Sequence, residues 1–217
     1  MGDLEELKKL GVLGSGNIGK GIGSWAAKVG YEVTFSARNE AGARAAAQAA
    51  GHGAKAAGVR SAVEAADLVL LAVPYGAVKE VLTEIRPLLG AKTVIDATNA
   101  LSADFSSLTL GFSTSAAEEI AKLVPDAHVV KAFNTVFAQI YASQNPQIQG
   151  RAISVFVAGD NKEAKEKVEA LISKMGFDVV DAGPLKSART IEPLAMLNIS
   201  LGYQQGLGTG IGFTLLR

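Results

Sequence analysis

Short apolar runs alternate with stretches whose apolar residues recur at three- and four-residue intervals, almost from one end of the chain to the other. The runs KLGVLG (9–14), YEVTFSAR (31–38), DLVLLAVP (67–74), KTVIDATN (92–99), HVVKAFNT (128–135), AISVFVAGD (152–160) and FDVVDAG (177–183) predict strands. Most are apolar without period-two alternation, as strands buried on both faces are. Between them, Ile22, Trp25, Ala26 and Val29 mark one helix face, and Val78, Val81, Leu82 and Ile85 another. Further helices are predicted over 40–50, 115–125, 161–175 and 187–205. Residues 100–113, rich in Ser, Thr and Leu, read as loop, and the polar segment QNPQIQGR (144–151) is the weakest joint.

Composition narrows the chemistry. With 217 residues, 48% hydrophobic and 19% charged, the chain reads as one folded domain and not a disordered one. Lys plus Arg equals Asp plus Glu at 21, and no basic stripe is visible, which speaks against a nucleic-acid partner. Cys is absent, which removes disulfides, thiolate metal sites and a cysteine nucleophile. Only His52 and His128 remain as histidines, so no metal site is expected. No run reaches the length of a membrane span, and the start MGDLEELKKL is not a secretory signal; a cytoplasmic protein is expected. Residues 1–6 read as a solvated extension or a scar.

The 24 glycines need a backbone reason, and the first cluster supplies one. Gly14-Ser15-Gly16-Asn17-Ile18-Gly19 is G-x-G-x-x-G, placed between a predicted strand and a predicted helix. In that setting the first glycine permits the turn, the second admits a diphosphate to the main chain, and the third lets helix and strand pack closely. The helix N-terminus adds free N–H groups for the phosphates. A P-loop reading of the same residues fails at Gly21, where Mg²⁺ binding needs a hydroxyl. The expected fold is therefore α/β: a Rossmann-type doubly wound, mostly parallel sheet. Residues 9–150 are expected to form its dinucleotide-binding core, and 151–217 a small strand-helix extension.

NAD-type sites end the second strand on a carboxylate that binds the ribose 2′-hydroxyl. Here that strand ends Ser36-Ala37-Arg38-Asn39, so a guanidinium and neutral donors favour a 2′-phosphate and hence NADP. Other strand ends complete the expected cleft: Ala72, Val73 and Pro74 with Val78 behind them, Thr98 and Asn99, and Ala132, Phe133, Asn134 and Thr135. Tyr75 and Lys79 match the Y-x-x-x-K pair of short-chain dehydrogenases, but the glycine spacing differs from that family. Tyr75 is read as a wall of the cleft and Lys79 as solvated. Asp96, inside a strand, is read as a structural polar group; Glu192 fits a core or a solvated place equally. No catalytic acid or base is assigned. That scarcity favours hydride exchange between two bound rings, which needs mainly proximity.

GVLGSGNIGKG, SARN, LLAVPYGAV, VVKAFNT, DAGPL and IEPLAMLNI together resemble the NADPH-dependent coenzyme F420 reductases, over about residues 10–216. The resemblance implies a Rossmann domain with a small C-terminal extension, a homodimer, no metal, and hydride transfer between NADPH and the deazaflavin ring of coenzyme F420. Related cytosolic domains of membrane ferric reductases use a flavin instead. It places Asn134, Thr135, Phe137 and Leu207 by the second ring, Leu207 lying in the glycine-alternating stretch 206–213. Members of the family often carry His at position 134 and Pro at 137, so the acceptor pocket here departs from theirs. The apolar last helix (Leu194, Met196, Leu197, Ile199, Leu201) is expected to pack on a partner subunit.

Overall fold

The apolar runs assemble into one sheet because each is buried on both faces and its backbone polar groups must pair with neighbouring strands. The computed structural model describes residues 9–217; the N-terminal extension lies outside the described residues. In chain order the elements are β1 (Lys9–Leu13), α1 (Asn17–Lys28), β2 (Glu32–Ser36), α2 (Glu40–Ala50), β3 (Lys55–Ala56), α3 (Val59–Glu64), β4 (Leu68–Leu71), α4 (Tyr75–Leu89), β5 (Thr93–Asp96), α5 (Ala116–Leu123) and β6 (His128–Lys131). There follow α6 (Ala138–Ser143), β7 (Gln147–Ile148), β8 (Arg151–Ala152), β9 (Ser154–Gly159), α7 (Lys162–Lys174), β10 (Asp178–Asp181), a 3₁₀ turn (Leu185–Ser187), α8 (Ala188–Ile199) and a π-helical turn (Ser200–Gln204).

Eight strands form one sheet in the order β10-β9-β6-β5-β4-β1-β2-β3. Six of them, β1 to β6, run parallel; β9 turns antiparallel to β6, with β10 parallel to β9. The sequence pattern expects a mostly parallel sheet, and it misses this reversal. After α6, the small β7–β8 hairpin turns the chain so that β9 runs back along β6. Two apolar layers cover the sheet. One joins α1, α2, α6 and α7 around Trp25, Phe35, Tyr141 and Phe177; the other joins α3, α4 and α5 around Val63, Leu82, Ile85 and Ile120. Trp25 meets Phe177 at 5.0 Å and Tyr141 meets Phe177 at 6.0 Å between ring centroids, tying α1 to the C-terminal strands. The α1–α6 contact is equally close, since a Cβ at Gly21 would fall 2.7 Å from that of Tyr141.

The last residues are a strap. Ser154 N–H donates to the Phe213 carbonyl (2.8 Å), Thr214 Oγ1 to that of Ala152 (3.0 Å), and Arg217 pairs with Asp178 (3.0 Å). No helix among the described residues is long and apolar enough to cross a membrane.

Candidate active site

The chain order of the sheet reverses at β1, which pairs with β2 on one side and β4 on the other. The carboxyl ends of such strands open a crevice where ligands of open α/β sheets bind. A hollow of about 530 Å³ lies there, walled by the glycine loop, the end of β2 and the β4–α4 turn. Gly14 holds φ +111°, and a Cβ on it would collide with the Ala72 carbonyl. A Cβ on Gly19 would collide with the Gly14 carbonyl. These two glycines serve packing. Gly16 differs: nothing lies within 4 Å of where its Cβ would stand, so the space above it is open to a ligand.

The helix that follows is left uncapped. α2, α5 and α7 begin on Asn39, Ser115 and Asn161, whose side chains accept main-chain N–H bonds, and each has a carboxylate in its first turn. α1 begins on Gly16 with no side-chain cap and no acid. α3, α4, α6 and α8 also lack a side-chain cap and a first-turn acid, so what sets α1 apart is its place on the glycine loop, where its free N–H groups can meet an anion. Ser36 is buried at the edge of the hollow, and its Oγ has no hydrogen-bond partner. An orphaned buried hydroxyl is costly unless a ligand completes it. Arg38 is exposed on the same wall, with no ion-pair partner among the described residues. Ser15, Ala72, Val73 and Pro74 line the hollow as the sequence expects. Asn39 lines it too, but its Oδ1 is spent capping α2 (2.8 Å to Ala41 N). Val78 is buried in the core behind this wall, and its neighbours Ala77 and Val81 face the hollow.

Past the first turn of α1, where Asn17 and Ile18 stand, a second cleft of about 600 Å³ opens. Asn134 Nδ2 donates to Asn99 Oδ1 (3.0 Å), and Asn99 Nδ2 donates to the Asn134 carbonyl (3.1 Å). The two amides lock the ends of β5 and β6 together and leave Asn134 Oδ1 buried without a partner. Phe133 holds φ +67°, a conformation that costs a non-glycine residue about 1 kcal/mol or more and recurs at ligand sites. Buried Tyr141 secures it, its hydroxyl donating to the Phe133 carbonyl (2.6 Å). Phe137 lines the cleft and meets Tyr203 edge-on at 5.6 Å. Asn198, on α8, reaches across to the Thr135 carbonyl (3.0 Å). The sequence does not single out Asn198 or Tyr203, although IEPLAMLNI contains the first; Phe133 falls in an expected strand end, but nothing there announces its strain. Ala132 is fully buried beneath. Leu207 is 60% exposed and does not line the cleft; the π-turn residues Tyr203 and Gln204 do so in its stead.

Below the cleft lies a buried ion network. Lys131 Nζ donates to Asp96 Oδ2 (2.9 Å) and to the Thr98 carbonyl (2.5 Å), and stands 3.1 Å from Glu192 Oε1. Glu192 also accepts the N–H groups of Ala116 and Ala117 at the start of α5 (2.9 and 3.2 Å). Asp96 Oδ1 accepts the Thr98 N–H (2.8 Å). Burial works against the ammonium, but the two carboxylates outweigh it and raise the Lys131 pKa. Asp96 is thus structural, as expected, and Glu192 takes the core place of its two readings. The network clamps the Thr98 peptide on both sides, directly before Asn99.

Tyr75 is a correction. It packs against the α4–α5 core and is not among the residues walling the crevice. Desolvation and then Glu119 raise its pKa, the opposite of what a tyrosine acid–base group needs, and Lys79 is exposed. His52 lies in a turn at the opposite edge of the sheet, and His128 opens β6; neither reaches the site.

One turn away, Arg189 of α8 grips Glu118 of α5 with two bonds (2.8 and 2.7 Å). Those bonds hold the Glu118 carboxyl below its usual range, against some desolvation. A lowered folded-state pKa gives stability that is full above about pH 4.5 and lost as pH falls through the folded value. Arg189→Ala is therefore expected to lower Tm at pH 6, with the deficit shrinking as pH falls below about 4.5; thermal melts over a descending pH series check it.

The sheet order and the crevice at its carboxyl edge are those of a Rossmann-type nucleotide-binding fold. Residues 9–100 match the family described as NADP oxidoreductase coenzyme F420-dependent. It is 28% identical to the F420-dependent NADP reductase of Methanothermobacter marburgensis over 224 residues, covering 96% of this chain and 99% of that one. A crystal structure from Arthrobacter sp. FB24, assigned as an F420-dependent NADP-reductase, superposes with a TM-score of 0.86 at 28% identity, over 96% of this chain and 99% of that one. The rat Metalloreductase STEAP3 is 31% identical over 198 residues, 89% of this chain. The chain spans little more than a third of that metalloreductase's length (38%).

Proposed function

We propose that the chain transfers a hydride between NADPH and a flat flavin-type ring, the family pointing to coenzyme F420 as the acceptor. Reduction of a flavin, or through it of a ferric chelate, is the second reading, favoured by the metalloreductase likeness and by Asn134 and Phe137 standing where F420 reductases often carry His and Pro. One observation carries the reading: the hollow lined by Gly14 to Gly16 is followed, at the next residues Asn17 and Ile18, by a second cleft rich in amides and aromatic rings. NADP(H) supplies the hydride chemistry when bound. Gly14 to Gly19 would hold its diphosphate, Ser36, Arg38 and Asn39 its 2′-phosphate, and Asn99 and Asn134 the inner end. Asn134, Thr135 and Phe137 would face the acceptor. No side chain is assigned a proton transfer; holding two rings in register is the catalytic work. Exposed Leu197 and Tyr203 on the last helical segment mark the surface proposed for a homodimer.

Following NADPH absorbance with F420, FMN, FAD and ferric chelates tests the reaction, and NADPH binding without turnover of any acceptor would defeat it. Arg38→Ala is expected to weaken NADPH binding by about 10- to 100-fold, the worth of one charge-assisted phosphate contact, and NADH binding by less than about two-fold. Equal losses in paired titrations would refute the 2′-phosphate assignment.

A further inference from the structure

The cleft proposed for the acceptor carries a charge pattern of its own. None of the residues lining it is Lys or Arg; its one carboxylate is Asp104, on the loop between β5 and α5. Hydrogen bonds from Ser102 and Ser106 fix that side chain at the cleft and lower its pKa to about 2, so it stays ionised at any working pH. Beneath the floor, next to the lining residue Ala97 and one turn from Ala195, two carboxylates (Asp96 and Glu192) face one ammonium (Lys131). The N-terminus of α5 offsets part of that excess at Glu192. Lys20 lies in an adjoining hollow, beyond Asn17 and Gln139. Neutral amides, aromatic rings, aliphatic side chains and Thr135 make up the remainder of the wall.

We infer that the cleft selects a flat hydride acceptor with an uncharged tail over the same ring carrying a phosphate or carboxylate tail. The inference rests on the reading of this cleft as the acceptor site. It runs against the family's named coenzyme, whose tail is polyanionic. An anion at the mouth meets the exposed carboxylate of Asp104 and the net negative floor with no Lys or Arg in the wall, a repulsion through solvent that salt screens.

The test uses two ring pairs in which only the tail differs: 8-hydroxy-5-deazariboflavin against coenzyme F420, and riboflavin against FMN. For each, kcat/KM with the full-length protein and saturating NADPH is measured at low salt and at about 0.5 M salt, where the Debye length shrinks to a few ångströms. The neutral member is expected to be preferred by about five-fold or more at low salt, with the gap narrowing at high salt. Asp104→Asn, which keeps the oxygen that Ser102 and Ser106 bond, is expected to narrow it at low salt. Equal use of both members, or preference for the anionic one, overturns the inference and leaves the hydride-transfer reading standing. A gap unmoved by salt and by Asp104→Asn is steric and also overturns it. Reduction of none of the four rings, with NADPH still bound, removes both.

Discussion

Gly16→Ala is expected to weaken NADPH binding by about 100-fold, roughly 3 kcal/mol, while Tm moves by only a degree or two. The separation follows from the space around the three loop glycines. A methyl on Gly16 meets no protein atom within 4 Å, and its φ of −69° and ψ of −179° are open to any residue, so the fold has no reason to object. Loss of the glycine at the helix start costs no more than about 1 kcal/mol. That methyl would stand where a diphosphate must approach the main chain, and it would hold the phosphates away from the N–H groups of the uncapped α1. Gly14→Ala and Gly19→Ala are the contrasting controls. Each drives a Cβ into backbone oxygen, so both are expected to lower Tm as well as binding. Isothermal titration with NADPH, paired with thermal melts, reads both quantities. A Gly16→Ala protein that binds NADPH like the parent would mean that the diphosphate rests elsewhere.

Lys131→Met is expected to destabilise the protein by about 3–5 kcal/mol, because it leaves Asp96 and Glu192 buried together without their shared cation. For a domain of this size that is a fall in Tm of roughly 10 °C. Glu192→Gln is the milder control: it leaves one carboxylate against one ammonium, and its amide oxygen can still accept from the start of α5. The same clamp fixes the Thr98 peptide from both sides, so what remains folded of Lys131→Met is also expected to turn over more slowly. Denaturant melts on the two variants check the ordering. A Lys131→Met protein as stable as the parent would show that the network carries no net weight.

What could be read in the sequence is local. The glycine loop declares itself because strand, turn and helix are contiguous, and each glycine's role follows from its place within six residues. Arg38 is legible for the same reason: it closes the strand after the loop, where a carboxylate would otherwise stand. The rest depends on distant meetings. Lys131 hides in an apolar strand, HVVK, and nothing nearby announces that residues 96 and 192 neutralise it. Tyr75 illustrates the converse error, a short motif taken for a cleft wall when its ring turns into the α4–α5 core. The reversal of β9 escapes periodicity because the hairpin responsible has strands of only two residues. Phe133 shows no sequence sign of φ > 0, since its conformation is held by Tyr141 eight residues on. Helices α3 and α6, six residues each, are too short to carry a helical period.

The most direct test is a crystal structure with NADPH. The expected density runs along the carboxyl edge of the sheet, with phosphate oxygens on the main chain at Gly16, the guanidinium at position 38 on the phosphorylated ribose, and the reduced ring reaching the paired asparagines. Nucleotide found in another hollow, or none bound at millimolar concentration, would contradict the account.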